Sequence, residues 1–300
     1  MKLLITGAWN CTDRQLDSIR TLGHEVVFLQ NEKDELPCAA HTIEGVICNG
    51  LFLYHDIEKF TSLRYIQLTS AGYDRVPVKY IEEHGIKINN ARGVYSIPMA
   101  EFAVSGVLQL YKQSRFFYDN QKKQKWEKRR DLLELCGKTV LILGCGNVGT
   151  ECAKKFNAFG CKVYGIDVKP YDNGNFLAIY SLNVLDEKLS QADIVILTLP
   201  LTDKTKGLFD ATCFEKLKNG AVLVNISRGD IVDENALINA LDTKLFGAVI
   251  DVFSEEPLRE DSALWHKENA IITPHNSFVG ENNGDRLFKL IIDNFEDING

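Results

Sequence analysis

Thr139-Val-Leu-Ile-Leu-Gly-Cys-Gly-Asn-Val-Gly149 is the stretch on which the fold turns. The run from Thr139 to Leu143 has strand character and passes directly into a GxGxxG turn, where spacing carries more information than glycine content. Gly144 permits a tight turn, and Gly146 lets backbone approach a pyrophosphate. Gly149 lets the following helix pack closely on the strand, with the amides of Asn147 and Val148 presented to the anion. A second apolar run ends at Asp167, eighteen residues beyond Gly149. A carboxylate there can accept hydrogen bonds from both ribose hydroxyls and repels a 2′-phosphate. Strand, turn, helix and acid in this order predict a dinucleotide site and favour NAD over NADP.

Outward from this motif, apolar runs recur at Lys162 to Ile166, Asp193 to Leu199, Ala221 to Ile226, Phe246 to Asp251 and Ala270 to Thr273, with helix-compatible segments between them. With the first run they suit a doubly wound parallel sheet. On the amino-terminal side, Leu3 to Thr6, Glu25 to Leu29, Gly45 to Cys48, Tyr65 to Thr69 and Ile86 to Ile88 alternate with polar stretches, which predicts a second α/β layer system. A helical pattern from Met99 to about Tyr118 reads as a crossover between domains. Asp285 to Asp297 has apolar residues at helical spacing.

The 300 residues suit two domains, and 45% apolar with 25% charged residues suits an ordinary globular chain. A net charge of −7 disfavours nucleic acid and anionic membranes as partners, leaving small-molecule chemistry as the leading class. No run approaches the ~18 apolar residues of a membrane span. The opening MKLLITGAWN lacks the length and cleavage site of a signal peptide. The 8 cysteines form no CxxC pair and no zinc spacing, so they read as small buried hydrophobes in a reducing cytoplasm, and no metal is expected. Gln121 to Arg130 is basic around Trp126, but its Glu127 and the acidic chain favour a solvated face or subunit-contact arm over a nucleic-acid patch.

Ligands of an open parallel sheet lie beyond the carboxyl ends of its strands. Those ends carry Leu199-Pro200, Ser227-Arg228-Gly229, Asp251 and Thr273-Pro274-His275, a set of guanidinium, carboxylate and imidazole suited to hydride and proton transfer on a carboxylate-bearing carbonyl compound. Together with Ser70-Ala-Gly-Tyr-Asp74, Ile97-Pro-Met-Ala-Glu101, Asn225-Ile-Ser-Arg-Gly229 and Asp251-Val-Phe-Ser-Glu-Glu-Pro257, these motifs make the chain resemble the D-isomer-specific 2-hydroxyacid dehydrogenase family over nearly its whole length. That family includes D-lactate, glyoxylate/hydroxypyruvate and D-3-phosphoglycerate dehydrogenases.

The resemblance implies an α/β fold of two doubly wound parallel-sheet domains, a Rossmann NAD-binding domain (97–274) inserted in a flavodoxin-like substrate domain (1–96 and 275–300). It implies that Arg228 binds the substrate carboxylate and polarises the carbonyl. His275 would be the acid/base, with Glu256 as its carboxylate partner favouring the imidazolium. Gly144, Gly146, Asn147, Val148, Gly149, Asp167, Leu199, Pro200 and Asp251 would hold NAD, Asp251 by the nicotinamide carboxamide. The amides of Ala71 and Gly72 would complete the carboxylate site from the other domain, so that a small 2-oxo or 2-hydroxy acid reacts in the cleft between the two. A homodimer through the NAD-binding domain is the implied assembly. The alternative is an NAD(H)-sensing, corepressor-like binding protein on the same fold.

Overall fold

The computed structural model describes residues 1–299, with side chains to Phe295. The chain divides into two compact units, Met1–Tyr95 with Gly280–Gly300, and Ser96–Val279.

The first unit is built on β1 (Lys2–Thr6), α1 (Asp13–Thr21), β2 (Glu25–Leu29), β3 (Gly45–Cys48), β4 (Tyr65–Leu68), α2 (Val78–Glu83) and β5 (Lys87–Asn89). Its strands form one parallel sheet in the order β2-β1-β3-β4-β5, the flavodoxin-like order. Alternation along a strand sends successive side chains to opposite faces. Leu3 and Ile5 therefore join one buried cluster while Leu4 joins the other.

The second unit comprises α3 (Ser96–Tyr111), α4 (Ser114–Lys122), β6 (Thr139–Leu143), α5 (Asn147–Ala158), β7 (Lys162–Ile166), β8 (Ala178–Tyr180), α6 (Leu185–Leu189), β9 (Ile194–Leu197), α7 (Ala211–Lys216), β10 (Val222–Asn225), α8 (Glu234–Thr243), β11 (Gly247–Ile250) and β12 (Ala270–Ile272). Its seven strands are all parallel, in the order β12-β11-β10-β9-β6-β7-β8, so the direction of winding reverses between β6 and β9. Leu141 and Leu143 face the core shared with the α6, α7 and α8 side. Val140 and Ile142 face the core under α3 and α5. Burial on both faces explains why these strands read as near-continuous apolar runs. α9 (Asn283–Asn299) then returns to the first unit, where Leu287, Ile291 and Phe295 pack with Leu3, Ile5, Ile47 and Tyr65. The architecture is thus two doubly wound parallel sheets, a Rossmann unit inserted in a flavodoxin-like one.

Two local features depart from the sequence reading. The crossover helix expected over Met99 to Tyr118 is broken, because Gln113 adopts a left-handed conformation (φ 52°) between α3 and α4. A seventh strand, β8, lies at the sheet edge; it is three half-buried residues, too short for an alternation signal. Among the described residues, no helix is long and apolar enough to cross a membrane.

Candidate active site

The glycine turn after β6 is built by close backbone approach. Gly144 has φ +97°, and a Cβ there would lie 2.9 Å from the Thr198 carbonyl carbon, so the loop carrying Leu199 and Pro200 runs against the turn. The Thr198 hydroxyl reinforces that contact by donating to the Gly144 carbonyl at 2.6 Å. A Cβ on Gly149 would fall 2.0 Å from the Gly144 carbonyl oxygen, a clash no side-chain shift relieves. Helix α5 starts at Asn147 with Gly146 as its cap residue and no side-chain cap. Among the described residues, the amides of Gly146, Asn147, Val148 and Gly149 have no protein acceptor. Four unpaired donors at a helix amino end make a ready anion site, to which the helix dipole adds attraction.

Asp167, at the end of β7, accepts from the Cys145 amide at 2.8 Å and from the Lys169 amide at 3.1 Å, so its carboxylate sits against the same turn. Each oxygen retains acceptor capacity for a ribose hydroxyl. Cys145 itself is buried. Desolvation, then the Asp167 charge, pushes its thiol up to about 12, which makes it a packing residue rather than a nucleophile.

Strands β10, β11 and β12 are neighbours in the sheet, and their carboxyl ends carry the polar set. The buried Asn225 shapes the first of these ends. Its Oδ1 accepts from the Ser227 amide at 3.1 Å and hydroxyl at 2.7 Å, and its Nδ2 donates to the Arg228 carbonyl at 3.1 Å. Arg228 is half-buried, and its Nη1 donates to the Ser227 carbonyl at 2.8 Å. The next residue must be glycine, because a Cβ on Gly229 would lie 1.9 Å from the Phe253 carbonyl carbon. That contact presses the Arg228 loop onto the loop that carries Glu256.

Asp251 is fully buried, and its carboxylate accepts from the Thr273 hydroxyl at 2.6 Å, the Asn276 amide at 2.8 Å and the Ser277 amide at 2.9 Å. It thereby braces the turn in which His275 sits at φ 50°, a conformation that non-glycine residues rarely adopt. The His275 amide donates to the Asp251 carbonyl at 2.8 Å. Glu256 takes the Phe253 amide on Oε1 at 3.1 Å and faces His275 Nδ1 with Oε2 at 2.8 Å. Both side chains are partly exposed, 36% for His275 and 38% for Glu256. With Nδ1–H donated to the carboxylate, Nε2 is left as the atom that can give or take a proton.

In the first unit, the turn after β4 carries Ala71 and Gly72. The Asn90 Nδ2 donates to the Ala71 carbonyl at 2.7 Å, and the Ser70 hydroxyl donates to the Gly72 carbonyl at 3.2 Å. The amides of Ala71 and Gly72 have no protein acceptor among the described residues.

The family model for the NAD-binding domain of D-isomer specific 2-hydroxyacid dehydrogenases matches residues 104–277. A hydroxypyruvate reductase of Blautia hydrogenotrophica is 31% identical over 251 residues, spanning 80% of this chain and 77% of its own. The chain belongs to the D-isomer specific 2-hydroxyacid dehydrogenase family. A chloroplastic D-3-phosphoglycerate dehydrogenase of Arabidopsis thaliana is 35% identical over 216 residues, 71% of this chain but only 34% of the plant protein's length. The crystal structure of a D-isomer specific 2-hydroxyacid dehydrogenase family protein from Aeromonas salmonicida matches with a TM-score of 0.86 at 30% identity, covering 99% of this chain and 94% of that one.

As a family member with an NAD-binding domain, the chain has a turn that fits a dinucleotide: open amides for a pyrophosphate, and an acid beside them for a ribose. The sequence motifs contain Asn225 and Thr273 without assigning them a supporting role, and do not reach Ser277; all three lie close in the chain to the site residues they support, so proximity is a usable signal. The Phe253 amide that orients Glu256 is backbone and leaves no trace in residue type.

Proposed function

We propose that this dehydrogenase interconverts a small D-2-hydroxy acid and its 2-oxo acid with NAD(H), using His275 with Glu256 as the acid/base pair and Arg228 as the carboxylate and carbonyl ligand. The observation that carries the reading is the 2.8 Å bond between Glu256 Oε2 and His275 Nδ1, on the sheet edge that also bears Arg228 and the open glycine turn. Bound NAD(H) would supply the hydride chemistry at C2, giving hydride in reduction and accepting it in oxidation. In reduction His275 donates its Nε2 proton to the carbonyl oxygen, and in oxidation it takes that proton back. Glu256 holds the ring in one tautomer and neutralises the imidazolium. Arg228 stabilises charge growing on the oxygen, its planar fork also suiting a carboxylate.

The unpaired amides of Ala71 and Gly72 would serve as further donors to the carboxylate. The amides of Gly146, Asn147 and Val148 would take the pyrophosphate and Asp167 the ribose, with Gly144 and Gly149 shaping the turn and Leu199 and Pro200 forming its wall. Asp251 keeps one acceptor site after its three internal donors, which suits the nicotinamide carboxamide. The proposal includes a homodimer through the second unit, supported by the exposed Phe117 and Tyr118 on α4 and by Trp126, 95% exposed in the segment that follows.

A panel of glyoxylate, hydroxypyruvate, pyruvate, branched 2-oxo acids and phosphohydroxypyruvate, followed by NADH absorbance, tests the reading. At least one acid should be reduced. In His275→Ala that turnover should fall about 10²- to 10⁴-fold, with NADH affinity retained. A chain that binds NADH but reduces none of the acids, or whose turnover survives loss of the imidazole, would overturn it.

A further inference from the structure

Residues 168–177, between β7 and β8, form an ordered strap along α5. Phe176 anchors it in the core beside Gly165, where a Cβ would lie 3.1 Å from the Phe176 ring. The Asn157 Nδ2 on α5 donates to the Asn175 carbonyl at 2.6 Å. The Asn173 Nδ2 donates to the Thr150 hydroxyl at 3.2 Å and to the Tyr171 hydroxyl at 3.3 Å. The Tyr171 hydroxyl in turn donates to the Cys145 carbonyl, which also receives the Thr150 hydroxyl at 3.3 Å.

That carbonyl belongs to the same peptide unit as the Gly146 amide. A trans peptide holds its C=O and N–H antiparallel, so fixing one end fixes the other. Thr150 lies one turn into the helix, and a Cys145 carbonyl directed towards it sends the Gly146 N–H the opposite way, out of the open amino end of α5. An unbroken helical ladder would give this carbonyl to the Gly149 amide, but that bond is not made, and the two hydroxyls take its place. The preceding peptide is fixed as well, since its Cys145 amide is held by Asp167 at 2.8 Å. Two successive peptides of the turn are therefore clamped by side chains, one by Asp167 and the next by Tyr171 with Thr150.

We propose that Tyr171 is a positioning residue for the dinucleotide: by holding the Cys145 carbonyl it aims the Gly146 amide before the pyrophosphate arrives. The proposal rests on the glycine turn being the pyrophosphate site. A donor aimed in advance spares the ordering that binding otherwise costs, so the benefit falls on affinity rather than on the chemical step.

The test compares the full-length wild type with Tyr171→Phe, which keeps the ring and removes only the hydroxyl. Three quantities are read: NADH affinity by fluorescence titration, the Gly146 amide resonance titrated with inorganic pyrophosphate, and the melting midpoint. Loss of one orienting hydrogen bond should weaken NADH about fivefold and raise its KM in step, with kcat held. The Gly146 shift induced by pyrophosphate should shrink while the midpoint stays put. Unchanged or tighter NADH binding in the variant, with the wild-type Gly146 amide still responding to pyrophosphate, overturns the role of Tyr171 alone. A wild-type Gly146 amide that ignores both pyrophosphate and NADH overturns the pyrophosphate site and this proposal together.

Discussion

Helices α1 and α5 each follow the first strand of a doubly wound sheet, yet only one is left open at its amino end. On α1, Thr12 accepts the Gln15 amide at 3.3 Å and the Gln15 side chain accepts the Thr12 amide at 2.9 Å, a reciprocal capping box. Around it the sheet edge is equally closed, with Glu32 taking the Thr6 hydroxyl at 2.8 Å and the amides of Asn49 and Gly50 at 2.6 and 2.7 Å. In the second unit α7 and α8 are capped by Asp210 and Asp233, but α5 begins on Gly146 and has no side-chain cap. Both sheets wind alike, so topology alone does not make the anion site. A withheld cap is what sets α5 apart from α1, α7 and α8.

The sharpest way to break the contrast is to close α5. Gly146 has φ −71° and ψ −157°, an extended conformation open to any residue. Gly146→Asp would supply the missing cap and place a carboxylate where the pyrophosphate is proposed to sit. NADH affinity should fall at least about 100-fold from like-charge repulsion and lost donors, while the melting midpoint holds or rises. Fluorescence titration and thermal melts read both. Retained NADH binding would show that these amides are not the anion site.

The same contrast explains what was legible in the sequence. Strand runs buried on both faces, the glycine spacing, and Asp167 at a strand end are residue-type signals, and they located the second sheet and the turn before any coordinates. Arg228, Asp251 and His275 could be found because the sheet rule says where to look. What escaped was held by backbone or by distant side chains. The left-handed Gln113 that splits α3 from α4 has no glycine to announce it. The strap residue Tyr171 reaches Cys145 across twenty-six positions. β8 is a strand because it pairs with β7 over Tyr164 to Ile166, not because its own residues alternate.

A smaller effect is expected from opening the closed edge of the first sheet. Glu32→Ala leaves the Thr6 hydroxyl and the amides of Asn49 and Gly50 unpaired, and Gly50 is buried. Stranding such groups should cost about 1–3 kcal/mol of stability, seen as a lower denaturant midpoint. NADH affinity should not change. A variant as stable as the wild type would mean that water replaces the carboxylate and that the edge was never closed by Glu32.

The smallest effect belongs to α1. Thr12→Ala removes the hydroxyl that accepts the Gln15 amide and with it the side-chain cap of α1, although that amide keeps the Thr12 carbonyl at 3.0 Å. Both residues are on the surface, so water can take over part of the lost bond, and the cost should be about 1 kcal/mol. If a missing cap were sufficient for anion binding, this variant would acquire a second pyrophosphate site. It should not, because α5 adds two things that α1 lacks: a carboxylate fixing the preceding amide, and hydroxyls aiming the next one. Calorimetric titration of Thr12→Ala with inorganic pyrophosphate should therefore give the wild-type stoichiometry, and a gain of one equivalent would reduce the distinction between the two helices to the cap alone.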